Sequence, residues 1–338
     1  MRIAIYGAGA SGGHLAVKLA RAGHEVSVVA RGAHLAAIRA HGLSLHQGPD
    51  CWHASVQATD TPSTLAPQDL VFVTVKATAL PQVAQDIGAL LAPGTPVVFA
   101  QNGMPWWYPL GLSSAHPPWP ALPHFAWAAG FLRGMQPGQV IGGVLYTANE
   151  VIAPGVVRNN SPRQNALEIG SALPGGAARV AAIRALLESA GIASPAIDDI
   201  RSVVWTKLIG NACSSSIAVI TGNPQAISSP GPLQQVFLRS VEEGCAVAAA
   251  HGHPVAGRID LARWTAHRSQ HKPSLLQDFE LGRPMEIAQM IEAPGAFGRS
   301  AGVDCPTLEA LAALAAQRAI DKGLYRRDPV AQAAPPLP

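Results

Sequence analysis

The stretch VVWTKLIGNACSSSIAVITGN (203–223) is apolar apart from one lysine, an asparagine four residues on, and then serines. At about 100° per residue, Lys207, Asn211, Ser214 and Ser215 fall in one stripe of a helix. Val204, Trp205, Leu208, Ile209 and Ala212 cover most of the remaining circumference. An ammonium on such a ridge can steady negative charge growing on an oxygen and then give that oxygen a proton, which is general acid catalysis. A lysine reaching along its apolar stem to water accounts for the same residue. The segment alone leaves both readings open.

A second set of residues opens the chain. In GAGASG, Gly7, Gly9 and Gly12 have the G-x-G-x-x-G spacing, after the strand-like RIAIYG and before the helical SGGHLAVKLARAG. In that setting Gly7, Ala8, Gly9, Ala10, Ser11 and Gly12 are the expected phosphate loop of a dinucleotide site. Glycine permits the tight turn, the close approach of backbone to pyrophosphate and the packing of helix on strand. The second strand ends in VVARGAH, with Arg31 where an NAD site usually offers a carboxylate. A guanidinium can clamp a 2′-phosphate, so NADP(H) is the expected cofactor. Lys76 in VTVKA and Asn102 in QNGM stand at the ends of later apolar strands, where open α/β sheets bind ligands. Asn102-Gly103 is also an ordinary turn dipeptide.

A third set lies in KPSLLQDFELGRPMEIAQM (272–290), where Ser274 follows a proline and Asp278, Glu280 and Glu286 are carboxylates among apolar residues. Ser274 reads equally as a helix N-cap. A carboxylate facing the Lys207 ridge would be catalytic, and spacing does not choose among the three.

The elements that must position these residues follow from the hydrophobic pattern. Up to about residue 100 strands alternate with helices, and DLVFVTVKA and TPVVFAQNG are near-continuous apolar runs of the kind buried in a parallel sheet. Residues 105–140 break the rhythm with a Pro- and Trp-rich irregular insertion, most concentrated in 105–127. Strands return in GGVLYTANEVIAPGVVRN, turning at Pro154-Gly155. From about residue 200 only helical periodicity remains. The expected domains are 1–199, an α/β dinucleotide-binding domain; 200–326, all-helical; and 327–338, a disordered tail.

Composition narrows the classes. With 338 residues, 48% of them hydrophobic and 13% charged, the chain can bury a large core. A net charge of +3 without basic runs argues against nucleic acid. Four scattered cysteines and twelve histidines without an HExxH argue for no disulfide framework and no metal. No signal peptide and no uninterrupted apolar run of membrane-spanning length are read, so a cytoplasmic location is expected. The alanine-rich face of TLEALAALAAQRAI (307–320) can pack internally or pair two subunits, which leaves a homodimer open.

Together, IAIYGAGASGG, VTVKA, QNGM, WTKLIGNA and SLLQDFELGRPMEI resemble the ketopantoate reductase family over nearly the whole chain. The resemblance implies a Rossmann-type N-terminal domain followed by an all-helical one, with the active site in the cleft between. It implies NADPH-dependent reduction of ketopantoate, a small 2-oxo acid, to pantoate on the route to pantothenate. By motif, Lys207 corresponds to the proton donor, Asn211 and Ser274 to substrate-binding residues, Glu286 to the cleft glutamate, and Lys76 and Asn102 to residues lining the cleft. Two departures bear on the substrate. Ser215 replaces a second substrate-binding asparagine, and a later one aligns with either Asn223 or Gln225. PWWYPLGL adds bulky aromatics after QNGM. A reductase of another oxo acid, or a non-catalytic NADP(H)-binding protein, are the alternatives.

Overall fold

The computed structural model describes residues 1–112, 117–266 and 272–327. The chain forms two compact units, Met1–Gln101 with Trp127–Ile200, and Asn102–Ala126 with the chain from Arg201 onward.

Eleven strands of the first unit are described: β1 (Arg2–Tyr6), β2 (Glu25–Val29), β3 (Leu43–Gln47), β4 (Asp50–Ala54), β5 (Gln57–Thr59), β6 (Leu70–Val73), β7 (Val97–Phe99), β8 (Val140–Tyr146), β9 (Asn149–Ala153), β10 (Val156–Asn159) and β11 (Ala166–Ser171). Seven of them make a sheet of order β11-β8-β7-β6-β1-β2-β5. All neighbours are parallel except the edge pair β11–β8. Strands on both sides of this sheet are covered, which is why β6 and β7 read as unbroken apolar runs: Leu70, Val71, Phe72, Val73, Val97 and Val98 have no exposed surface. Each such side chain contributes about 1.5–3 kcal/mol by leaving water. Strand order reverses at β1, with β2 on one side and β6 on the other. The carboxyl end of β1 is therefore the topological switch point, and Gly7 follows it directly.

The helices of this unit are α1 (Ala10–Arg21), α2 (Gly32–His41), α3 (Leu80–Asp86), α4 (Ala128–Gly134) and α5 (Ala177–Ser189). A second sheet, of order β4-β3-β10-β9, packs on α1. Its β9–β10 hairpin turns at Pro154-Gly155, as the sequence predicts. The β3–β4 hairpin was not expected. Its alternation is carried by few residues, with Leu43 and Leu45 buried and Ser44 and His46 more open, and its turn is a short Gly48-Pro49.

The second unit is helical: α6 (Ile200–Thr221), α7 (Pro232–Ala250), α8 (Leu261–Thr265), α9 (Ser274–Glu280), α10 (Ala293–Ala301) and α11 (Pro306–Asp321). α6 is long and apolar enough to cross a membrane by length and composition, but 67% of that window is buried, as befits a core helix. The alanine face of α11 is used internally, with Ala315, Ala316 and Ala319 fully buried against α9, Met285, Ile287, Met290 and Ile291.

The unit boundary near residue 200 lies where helical periodicity takes over. The Pro- and Trp-rich stretch differs from expectation, since Asn102–Ala126 belongs with the helices and not with 1–199. Buried Arg201 holds it, donating to the carbonyls of Tyr108 (2.9 Å) and Leu110, while Trp205 Nε1 donates to the Tyr108 hydroxyl (2.7 Å). The expected tail lies outside the described residues except Arg327, which pairs with Glu292 at 2.9 Å.

Candidate functional site

In the first unit the phosphate loop is built by backbone. The Val29 carbonyl accepts the N–H groups of Gly7 (3.0 Å) and Ala8 (3.3 Å), and the Thr74 hydroxyl donates to the Gly7 carbonyl (2.7 Å). Gly7 has φ +106°, and a Cβ on Gly12 would lie 2.0 Å from the Gly7 oxygen, so the loop closes only with glycine at both. A Cβ on Gly9, by contrast, would meet nothing within 4 Å. Above it opens a cavity of about 290 Å³ lined by Tyr6, Gly7, Ala8, Gly9, Arg31, His34, Asp60, Gln82 and Asp86 among others. The first-turn N–H groups of α1, from Ala10, Ser11 and Gly12, have no partner within the helix and carry the positive end of its dipole. Bare backbone at Gly9, unbonded N–H groups and the Arg31 guanidinium fit the phosphates of a nucleotide.

Two residues of this site were not anticipated. Thr74 locks the Gly7 peptide. His34 accepts the Gly155 N–H at Nδ1 (3.0 Å), so its Nε2 carries the proton and donates to the Ala8 carbonyl (2.7 Å). Both lie within three residues of positions that were singled out, Lys76 and Arg31, and what betrays them is hydrogen bonding, not residue spacing. Tyr6 donates to Asp86 (3.0 Å), and burial together with that carboxylate raises its phenol above the ordinary range. Lys76 stands exposed just beyond β6, while its neighbour Val75 lines the cavity.

In the second unit, the outer stripe of α6 carries Lys207, Asn211 and Ser214 as the sequence predicts, but not Ser215. Trp205, Leu208, Ile209, Ala212 and Cys213 are buried, and Thr206, Lys207, Gly210, Asn211 and Ser214 are half-buried. The Lys207 ammonium donates to Asn102 Oδ1 at 2.7 Å, a short charge-assisted bond. Ser214 donates to the Gly210 carbonyl at 2.6 Å. Ser215 is only 2% exposed and lies off this stripe. At α6's end Asn223 makes a turn, accepting the Gln225 N–H at 2.9 Å.

The Asn102 turn is itself fixed by backbone. Gly103 has φ +85°, and a Cβ there would lie 2.8 Å from the backbone of Gln289. The Met104 N–H donates to the Gln289 carbonyl at 2.9 Å. That carbonyl is available because Ala288–Glu292 is a π turn, and the residue five positions beyond Gln289 is Pro294, which has no N–H. Glu286, two residues ahead of the π turn, is 6% exposed. The turn that holds Lys207 is thereby tied to the segment that begins with Glu286.

The other carboxylates separate. Glu280 is on the surface, bonded to Lys272 at 2.7 and 2.8 Å, and Asp278 is 5% exposed on α9. Ser274 is exposed in the first turn of α9, where Pro273 occupies the N-cap, so it is not a capping residue. The added aromatics are core: Trp106, Trp107 and Tyr108 are 1%, 1% and 0% exposed. Tyr108 meets Trp119, Trp205, His253 and Phe297 edge-on. His251 Nε2 meets the Phe297 carbonyl at 3.0 Å. Among the described residues no group of three or more His, Cys, Asp or Glu could hold a metal.

Comparison with known proteins identifies the family. The family model described as ketopantoate reductase PanE/ApbA matches residues 3–111, and that of its C-terminal domain matches 199–319. A 2-dehydropantoate 2-reductase of Mesorhizobium japonicum is 36% identical over 336 residues, 96% of this chain and all of that protein. The PanE/ApbA family ketopantoate reductase of Ralstonia eutropha superposes with a TM-score of 0.77 at 29% identity, over 96% of this chain and 100% of the other. D-mandelate dehydrogenase, solved with NADH and anilino(oxo)acetate, shares the fold with a TM-score of 0.82 at 20% identity, over 96% and 100% of the two chains. With a Rossmann-like α/β domain followed by a helical one, both family models matched and a relative 36% identical over its whole length, the chain belongs to the PanE/ApbA ketopantoate reductase family, oxidoreductases that act on a CH–OH group.

Proposed function

We propose that the protein reduces a 2-oxo acid to the 2-hydroxy acid with NADPH, and that ketopantoate, giving pantoate for pantothenate synthesis, is its substrate. The observation that carries this reading is the Lys207–Asn102 bond of 2.7 Å on the open stripe of an otherwise apolar helix. The nicotinamide, when bound, supplies hydride to the ketone carbon. Lys207 stabilises the negative charge that develops on the ketone oxygen and donates the proton that makes it a hydroxyl. Asn102 occupies one of the three ammonium N–H directions and so aims the others. Asn211, four residues on and half-buried on the same stripe, orients the substrate with Ser274. Glu286 favours the charged form of the lysine. Arg31 selects the 2′-phosphate of NADP(H) over NAD(H).

The test is spectrophotometric. NADPH absorbance should fall on addition of ketopantoate, in a 1:1 ratio with pantoate formed, and slowly or not at all with NADH. No oxidation of either nucleotide across a panel of 2-oxo acids would leave only a nucleotide-binding protein. Reduction of another oxo acid in preference to ketopantoate is the reading favoured by one specific observation, the burial of Ser215 away from the stripe. We also assign the protein to the cytoplasm, with a homodimer to be tested by sedimentation.

A further inference from the structure

The polar stripe of α6 has a large apolar neighbour. Gly210 lies one turn beyond Lys207, next to Asn211, and is half-buried like them. A Cβ built on it would stand 3.1 Å from Cζ2 and Cη2 of Trp264, on α8. Glycine is thus what lets the indole lie against the helix at this height. Behind the indole, Phe237 of α7 is fully buried, with the ring centroids 6.5 Å apart. Trp264 itself is half-buried, and its Cζ2–Cη2 edge borders the stripe at Gly210.

The polar side of the stripe is poor beyond Asn211. The hydroxyl hydrogen of Ser214 goes to the Gly210 carbonyl, which leaves only its acceptor side, and Ser215 is buried. A molecule lying along the stripe with its reacting oxygen at Lys207 meets hydrogen-bonding groups at Lys207 and Asn211 and an aromatic wall at Gly210.

We propose that Trp264 is a specificity-determining residue, its indole packing on apolar substituents at the carbon next to the keto group. Substrates whose carbon 3 is branched, as in ketopantoate, or is a ring carbon gain that contact from Trp264, and unbranched ones do not. This rests on the 2-oxo acid reductase reading above. An indole face that covers one or two methyl groups separates substrates by roughly 10- to 200-fold, the usual value of such contacts.

The experiment measures kcat/KM with NADPH for pyruvate, 2-oxobutanoate, 3-methyl-2-oxobutanoate, phenylglyoxylate and ketopantoate, in the wild type, Trp264→Ala and Trp264→Phe. The wild type should favour the branched and ring-bearing acids over pyruvate by at least 10-fold. Trp264→Ala should lose most of that ratio through KM while its pyruvate value stays within about 3-fold, and Trp264→Phe should fall between. A loss shared equally by all acids would mark Trp264 as merely structural and overturn the proposal, as would an unchanged ratio in both variants. A wild type inert toward every acid would sink the reductase reading itself, so the two failures are told apart.

Discussion

The two functional regions are made of different material. The phosphate loop of the first unit is backbone, closed by glycines at 7 and 12 and clamped by Val29, Thr74 and His34. The Lys207 stripe of the second unit is side chains on one helix, steadied by a turn whose own anchor is a carbonyl at Gln289. The backbone site excludes added atoms where the loop closes, at Gly7 and Gly12, and leaves Gly9 open. A side-chain site tolerates neighbours but depends on one functional group.

That contrast can be broken most severely at Lys207. Lys207→Ala should lower kcat by roughly 10²- to 10⁴-fold, the range for a general acid, while NADPH affinity by fluorescence titration changes by less than about 3-fold. An alanine variant with most of its turnover would remove Lys207 from the mechanism. In the loop, Gly9→Ala and Gly12→Ala should diverge. The first adds a methyl to open space and should keep the wild-type Tm while weakening NADPH binding by about 10-fold or more. The second collides with the Gly7 carbonyl and should cost about 1–3 kcal/mol of stability, seen in denaturant titration. Equal Tm values for the two would contradict the geometry. Arg31→Ala should raise the KM for NADPH by about 10-fold and leave NADH within about 3-fold, because only the 2′-phosphate loses its partner.

Away from both sites, a pH dependence is seated in α1 of the first unit. His14 is 1% exposed, neither ring nitrogen has a hydrogen-bond partner among the described residues, and burial, reinforced by Lys18, lowers its pKa to about 4. Between the ordinary value of 6.5 and about 4 the unfolded chain takes up a proton that the folded chain refuses. Stability from this group is therefore intact above pH 6.5, falls as pH drops through that window, and levels off below about 4, with a loss of about 2 kcal/mol at pH 5. His14→Leu should shrink the difference in denaturation midpoint between pH 7 and pH 5; an unchanged difference would assign the acid sensitivity elsewhere.

How legible each region was follows from the same contrast. The spacing of Gly7, Gly9 and Gly12 is legible because a loop that closes on its own backbone needs glycine at set positions, and Arg31 because it stands where a carboxylate is usual. Lys207 and Asn211 could be read because polar groups on an apolar helix are anomalous. Thr74 and His34 are not legible, since several residue types can donate to a carbonyl equally well. Trp264 was hidden because its role depends on a glycine some fifty positions earlier. The Pro- and Trp-rich stretch was assigned to the wrong unit because its anchors, Arg201 and Trp205, lie about ninety residues away in sequence. Pattern reading sees neighbours along the chain, and these contacts are not neighbours.

The π turn at Ala288–Glu292 has a consequence for how this helix tolerates insertions and deletions. A π turn contains one residue more than the α-helical path it replaces. Excising Ala288 would let the helix rewind into regular register, which favours its hydrogen bonding, yet would swing Glu286 by about 100° relative to everything that follows. It would also retract the carbonyl on which the Asn102 turn hangs. A deletion that leaves the fold more regular would thus disarm the protein.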